Sequence, residues 1–115
     1  MSHNVIRRWL RRHHIFTGRV DRVIYYPERH DLPEIPRANE LAVAGSPDFP
    51  KWLLIDCPCG KGHTVLVPLS KRANPAWRIS IDDRHGPSVF PSIDRNRHEG
   101  ERCHYWIKNG QIHWA

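Results

Sequence analysis

The sequence predicts a small, mainly β protein of the α+β kind, in which one N-terminal helix precedes an antiparallel sheet or barrel-like roll. Short apolar runs separated by turn residues recur from residue 51 onward, as they do in small β-rich domains. Ten prolines among 115 residues leave little room for long helices. No long helical patterns alternate with the strands, which argues against a parallel, doubly wound sheet.

A basic amphipathic helix is predicted over residues 1–17. Residues at helical spacing give it an apolar face: Val5, Ile6, Trp9, Leu10 and His13. The other face carries four arginines: Arg7, Arg8, Arg11 and Arg12. The first 20 residues contain five arginines and no acid, whereas residues 21–115 carry 13 basic and 12 acidic residues. A basic segment on a nearly neutral domain favours a local contact over nucleic-acid recognition by a broad positive face.

The rest of the chain divides into two stretches of what is expected to be a single domain. Residues 18–50 predict a strand at 22–26, a proline-rich extended segment and a short strand at 41–44. Residues 51–115 predict a β-rich, metal-binding core. Its strands are expected at 52–56, 63–69, 77–81, 88–93, 104–107 and 111–114. The dipeptide Asn109-Gly110 separates the last two strands at the spacing of a two-residue hairpin turn.

Two thiols and an imidazole lie close together in the segment Cys57-Pro-Cys59-Gly-Lys-Gly-His63, a glycine-rich turn between two predicted strands. Glycines let the backbone curl around an ion, and thiolates select zinc in a reducing compartment. A second pair of candidate ligands follows at Cys103 and His104. We therefore predict a closed tetrahedral zinc site with the ligands Cys57, Cys59, Cys103 and His104.

The histidine of this site is open to alternatives. Adjacent residues in a regular strand point to opposite faces, so Cys103 and His104 bind one ion only at a bulge or a strand end. Otherwise His63 or His98 replaces one of them. The alternative to any metal site is that the cysteines are buried apolar side chains. An iron–sulfur cluster is disfavoured because a fourth thiolate is lacking.

A serine nucleophile is the second chemical candidate. Ser92 lies in the segment Phe90-Pro91-Ser92-Ile93, where the proline braces the chain. With His104 or His98 as the base, and Asp94 to orient that base, Ser92 could form a serine-type hydrolase site. The alternative is a serine that caps a turn after a proline.

The second half of the chain resembles a family of small bacterial proteins. The resemblance rests on five motifs in matching order and spacing: Cys57-Pro-Cys59-Gly60-x-Gly62, Pro68-Leu69-Ser70, Trp77-Arg-Ile-Ser, Pro91-Ser92-Ile93 and Cys103-His104-Tyr105-Trp106-Ile107-x-Asn-Gly110-x-Ile112-x-Trp114. Genes of this family tend to lie beside those for bacterial ubiquitin-like modifiers and their activating and conjugating enzymes, in regions associated with phage defence. The resemblance therefore implies an accessory role in protein modification.

The chain departs from the pattern of that family at one place. Family members commonly have Cys-x-Ser-His before the aromatic pair, where this chain has Glu101-Arg102-Cys103-His104. The cysteine is shifted by two residues. On a strand, such a shift keeps it on the same face, so Cys103 can still supply a thiolate.

Three hypotheses for the function follow. The first is a zinc-binding accessory protein that binds a ubiquitin-like modifier or its activating and conjugating enzymes. The second is a hydrolase that processes or removes the modifier, with Ser92 and His104 as the working pair. The third is nucleic-acid binding through the basic helix. A cytoplasmic location is expected, because arginines interrupt the N-terminal apolar stretch and no run of about 18 apolar residues occurs.

Overall fold

Eight β-strands and one 3-10 turn form the part of the chain that the computed structural model describes, which comprises residues 19–37, 39–60, 62–96 and 102–115. The turn is Arg29–Asp31, and the strands are β1 (Arg22–Tyr26), β2 (Glu40–Gly45), β3 (Pro50–Asp56), β4 (Thr64–Pro68), β5 (Arg78–Asp82), β6 (Gly86–Asn96), β7 (Arg102–Lys108) and β8 (Gln111–Trp114). The predicted helix over residues 1–17 lies outside the described residues. In the described ranges, no helix has the length and apolar character needed to cross a bilayer.

The mainly β class is confirmed, and the strands form two four-stranded sheets. The first sheet contains β1, β2, β3 and β4 in this order, and the second contains β5, β6, β7 and β8. Each predicted strand overlaps an observed one. The largest difference is at β6, which is longer than predicted at both ends.

One pair of strands departs from the predicted antiparallel arrangement. β1 and β2 are parallel, with Arg22 opposite Glu40 and Tyr26 opposite Ala44. The other neighbouring strands of both sheets are antiparallel. A parallel pair needs a connection that carries the chain back along the sheet. The proline-rich residues 27–39, which include the 3-10 turn, provide this return.

The two sheets share one hydrophobic core. Along β7, Cys103, Tyr105 and Ile107 are buried, whereas the residues between them are not, because successive side chains of a strand point to opposite faces. Residues of both sheets pack together in this core: Leu41, Val43, Leu53, Ile55, Val65, Val67, Val89, Ile93, Cys103, Tyr105 and Ile107. The intervening residues of β7 therefore lie on the outer face of the second sheet.

The hairpin between β7 and β8 forms at the predicted place. Asn109 and Gly110 have φ angles of 50° and 74°, in the left-handed region that a type I′ turn requires at both central positions. Gly110 also packs against the backbone near β1. A Cβ atom on Gly110 would lie 2.6 Å from the carbonyl oxygen of Val20, so this position requires glycine for two reasons.

A bulge interrupts the pairing of β6 with β7. Val89 lies opposite Ile107, and Ile93 lies opposite Tyr105, so more residues of β6 than of β7 lie between these pairs. Three residues of β6 face one residue of β7, namely Phe90, Pro91 and Ser92 against Trp106. Proline has no N–H to donate to the neighbouring strand. In a bulge the extra residues do not take part in the regular hydrogen bonds between strands, so a proline is tolerated there. The bulge also places Ser92 beside β7 outside the regular register.

Candidate active site and metal centre

β7 carries two consecutive residues that point in opposite directions. Cys103 is 4% exposed and belongs to the core, whereas His104 is half-buried on the outer face of the sheet. The alternation of side chains along a strand explains this difference. β7 therefore contributes to two sites, one inside the core and one on the outer face of the second sheet.

The inner site is a cluster of three thiols and one imidazole. The ligand atoms of Cys57, Cys59, His63 and Cys103 all lie within 4.8 Å of one another. Cys103 Sγ and His63 Nε2 are 3.7 Å apart. In a tetrahedral zinc site, Zn–S bonds of about 2.3 Å and Zn–N bonds of about 2.0 Å put the ligand atoms roughly 3.5–3.8 Å apart. The donor set and its spacing therefore fit a metal ion that prefers thiolates.

The loop between β3 and β4 presents three of these four donors. Cys57 follows β3 directly, His63 directly precedes β4, and the Cys57 N–H donates to the His63 carbonyl at 3.0 Å. Gly60 has a φ of 74°, and a Cβ there would meet nothing within 4 Å, so its left-handed backbone alone accounts for the glycine. The fourth donor, Cys103, belongs to the other sheet. An ion in this cluster would link the two sheets.

Burial favours the protonated form of the Cys57 thiol. Cys57 is 3% exposed, and this desolvation is the main reason that its pKa is raised far above the ordinary value for a thiol. The nearby Cys59 and Cys103 thiols raise the pKa further. A metal ion would take the place of these protons, so its binding would release protons and would weaken in acid.

The hydroxyl of Tyr105 is the buried side-chain polar atom that lacks a hydrogen-bond partner within the described residues. Tyr105 is fully buried, and its pKa is raised first by this burial and then by the neighbouring Cys57 thiol. Leaving a buried hydroxyl unsatisfied costs about 1–3 kcal/mol. A metal-bound thiolate accepts hydrogen bonds, so the Tyr105 hydroxyl is suited to donate to Cys57 Sγ when an ion is bound.

The outer site joins Ser92 to His104. Ser92 Oγ and His104 Nε2 are 2.9 Å apart, which is hydrogen-bond distance, and both residues are half-buried. The buried Trp77 donates from Nε1 to the Ser92 carbonyl at 3.4 Å, which ties the bulge to the core. A serine hydroxyl within hydrogen-bond reach of an imidazole nitrogen is the arrangement of a nucleophile and its base.

Asp94 lies opposite His104 in the ladder between β6 and β7. Its carboxylate is bound by Arg102, whose Nε donates to Oδ1 at 2.7 Å and whose Nη2 donates to Oδ2. These hydrogen bonds are the main reason that the pKa of Asp94 is lowered, and the charges of Arg102 and His104 lower it further. Asp94 is therefore a carboxylate that stays ionised beside the imidazole.

The predicted metal ligands are divided between the two sites. The three cysteines lie with His63, which was the predicted substitute for the histidine ligand. His104 lies with Ser92 instead, because its position on β7 faces away from the thiols. His98, the alternative base, and the arginines of the predicted helix lie outside the described residues.

Two residues of these sites were not anticipated from the sequence. Tyr105 is two residues after Cys103 and shares its face of β7, and Arg102 is two residues before His104 and shares the outer face. The same alternation identifies both residues once Cys103 is assigned to the core.

A comparison with protein families matches most of the chain. Residues 28–115 match the family model described as the bacterial ubiquitination-like system serine protease, BubE. The matched range includes the thiol cluster and the pair of Ser92 and His104. Comparisons with curated proteins and with solved structures give no match. The chain therefore belongs to the BubE family of bacterial ubiquitination-like system serine proteases.

Proposed function

We propose that this protein is a serine protease of a bacterial ubiquitination-like system, with Ser92 as the nucleophile and His104 as the general base. The observation that carries the proposal is the 2.9 Å distance between Ser92 Oγ and His104 Nε2. The description of the family supports it. Among the hypotheses from the sequence, these observations favour the hydrolase over the accessory binding protein.

The chemistry that this pair supports is acyl transfer to Ser92 followed by hydrolysis. As Ser92 Oγ attacks the carbonyl carbon of the scissile amide, His104 Nε2 takes the hydroxyl proton and a C–O bond forms. The C–N bond then breaks while the imidazolium gives its proton to the leaving amine. A water that loses a proton to His104 hydrolyses the ester, which frees the carboxylate product and restores Ser92.

Asp94 supports the base by its charge. The imidazole of His104 becomes positive during the reaction, and a carboxylate on the neighbouring strand stabilises that positive charge. Arg102 acts through Asp94 as a positioning residue, because its two hydrogen bonds fix the carboxylate on the outer face.

For the thiol cluster we propose zinc in a structural role. The ion would be held by three thiolates and the imidazole of His63, which fill a tetrahedral shell and leave no position for a reactive water. The ion would cross-link the β3–β4 loop to β7. Since β7 also carries His104, this link supports the catalytic pair from the opposite face of the sheet.

The proposed substrate is a ubiquitin-like modifier, either as a precursor or attached to a target protein. The modifier and its activating and conjugating enzymes are the proposed partners. We place the protein in the cytoplasm, because a reducing compartment keeps the thiols of the cluster reduced and able to bind a metal. A role in phage defence is part of the same proposal.

A cleavage assay tests the proposed function. The full chain is incubated with a ubiquitin-like modifier of a bacterial ubiquitination-like system fused at its C-terminus to a reporter, and the released fragments are identified by mass spectrometry. We expect cleavage by the wild type and a loss of at least about 1,000-fold in kcat/KM for Ser92→Ala and His104→Gln.

The matched control is Ser80→Ala, because Ser80 is an exposed serine on β5 of the same sheet. We expect this variant to keep the wild-type rate. Undiminished cleavage by folded Ser92→Ala would reject the mechanism. A wild type that binds the modifier without cleaving it would favour the accessory role instead.

A further inference from the structure

Two aromatic rings, each with a cation above it, lie on the outer face of the second sheet. Arg78 Cζ lies 5.3 Å from the centre of the Phe90 ring, and Lys108 Nζ lies 4.8 Å from the centre of the Trp106 ring. The two rings are half-buried, whereas both cations are exposed. Arg78 and Phe90 are direct partners across β5 and β6, and the bulge of β6 faces Trp106. We refer to these four residues as the cationic aromatic face.

The cationic aromatic face adjoins the proposed catalytic pair. Phe90 is two residues from Ser92 on β6, and Trp106 is two residues from His104 on β7. Because the two strands are antiparallel, both steps lead toward the same end of the sheet. The bulge places Phe90 and Ser92 both opposite Trp106, so the two rings lie beside Ser92. A peptide extended along this face with its scissile bond at Ser92 thus has a side chain near that bond above the rings.

Among the residues that the structure describes, neighbouring acids do not compensate the charge of this face. In the described part of the second sheet, two carboxylates share the outer face, and both are bound elsewhere. Asp94 is bound by Arg102, and Asp82 accepts hydrogen bonds from the backbone N–H groups of Arg84 and His85. Within the described ranges, no carboxylate forms an ion pair with Arg78 or Lys108. The face therefore presents positive charge above apolar rings.

We infer that the cationic aromatic face is a substrate subsite for an acidic side chain located close to the scissile bond of an extended peptide. The rings accept the methylene groups of such a side chain, and the two cations bind its carboxylate. This inference rests on the proposed function, since the position of the subsite is defined relative to Ser92. It goes further by naming the chemistry of the substrate.

Single-stranded nucleic acid is the other ligand that stacks on aromatic rings and binds cations. Peptide is favoured here because the face continues into the Ser92 and His104 pair, whose chemistry acts on acyl groups. The two rings of the face lie in one row across the strands. A groove that binds single strands contacts several nucleotides, which requires a longer surface than this row.

The test is binding of labelled peptides to the full-chain Ser92→Ala variant, which removes turnover. The probes are fluorescein-labelled Gly-Ser peptides that carry Glu, Gln or Lys at two positions separated by one residue. Their binding is measured by fluorescence anisotropy at low salt. We expect the Glu peptide to bind about fivefold more tightly than the Gln peptide, the size expected for two exposed ion pairs. In an Arg78→Glu and Lys108→Glu background, the preference should shift to the Lys peptide.

The matched control makes the same charge change at another exposed site, with Lys71→Glu and Arg72→Glu in the turn after β4. This control should keep the preference for the Glu peptide, which separates a local subsite from the general positive charge of the chain. Equal binding of the three peptides, or equal loss in both double variants, would overturn the inference. Tighter binding of a labelled oligothymidine that displaces the Glu peptide would overturn it in favour of nucleic acid.

A parallel reaction of the wild type with a fluorophosphonate separates this inference from the proposed function. Labelled Ser92 together with equal peptide binding would leave the catalytic pair intact and reject the subsite alone. Unlabelled Ser92 together with charge-selective binding would reject the catalytic mechanism, while the face would stand as a site for acidic peptides.

Discussion

Cys103 and His104 are consecutive residues whose side chains serve two sites on opposite faces of β7. The thiol of Cys103 lies 3.7 Å from His63 Nε2 inside the core, and His104 Nε2 lies 2.9 Å from Ser92 Oγ on the outer face. An ion bound to Cys103 would hold the strand that carries the proposed base. Stability and catalysis are therefore expected to depend on the same short segment of chain.

Removal of the metal is expected to lower both stability and activity. We predict about one zinc per chain in protein purified without a metal-affinity tag, and a Cys103→Ser variant that retains none. Unfolding by denaturant should show a loss of at least about 4 kcal/mol in the variant, the linkage free energy of a ligand present at 1,000 times its Kd. Wild-type protein stripped of zinc by a chelator should show the same loss of stability as the variant. Equal stability with and without zinc would contradict the structural role.

The Tyr105 hydroxyl is expected to contribute favourably in the zinc-bound form and not in the metal-free form. Tyr105→Phe removes an unsatisfied buried hydroxyl from the metal-free protein, which should leave its stability unchanged or raise it by about 1 kcal/mol. In the zinc form, the variant loses a donor to Cys57 Sγ, and the affinity for zinc should fall by about 10-fold or more. Competition with a chromogenic chelator measures this affinity. Unchanged affinity would show that the hydroxyl does not contact the thiolate.

Arg102 is expected to set the ionisation of Asp94. Hydrogen bonds from Arg102 lower the pKa of Asp94 in the folded state, so their stabilising contribution is complete above the ordinary aspartate pKa of about 3.9 and is lost as the pH falls through the lowered value. Arg102→Gln should raise the pKa of Asp94 toward the ordinary value. This pKa is measured from the carboxyl chemical shift of Asp94 in an acid titration followed by NMR. An Arg72→Gln control should leave this titration unchanged.

Two glycines with the same backbone angle should respond differently to alanine. Gly60 and Gly110 both have a φ of 74°, but a Cβ meets nothing within 4 Å at Gly60 and lies 2.6 Å from the Val20 carbonyl oxygen at Gly110. Gly60→Ala should cost about 1–2 kcal/mol, the cost of a left-handed alanine. Gly110→Ala should cost clearly more, because the backbone around Val20 must also move. Denaturant unfolding in excess zinc measures the stability of both variants. An equal loss of stability in the two variants would contradict the packing at Gly110.

Much of the fold follows from local patterns in the sequence. The Asn109-Gly110 turn and the strands on either side of it were predicted, because two left-handed residues and an alternating apolar pattern are local signals. The parallel pairing of β1 with β2 was not predicted. It depends on the path of residues 27–39, and prolines limit the conformation of such a connection without setting its direction.

The candidate site was predictable in its residues but not in their grouping. The sequence names the thiols, Ser92, His104 and the substitute ligand His63 as candidates, and each of them lies in one of the two clusters. It did not assign the two histidines to their sites, because that assignment depends on which face of β7 is buried. The bulge at Phe90-Pro91-Ser92 also depends on the register with β7, which a single strand pattern does not contain.

The most direct test of the central claim is the reaction of the full-chain protein with a fluorophosphonate, with the modified residue mapped by peptide mass spectrometry. The account predicts one adduct per chain on Ser92, and its loss in His104→Gln, because the hydroxyl needs the imidazole to accept its proton. Ser80→Ala should label at the wild-type rate. A folded, zinc-loaded wild type that leaves Ser92 unmodified, or a His104→Gln variant that labels as fast as the wild type, would contradict the proposed mechanism.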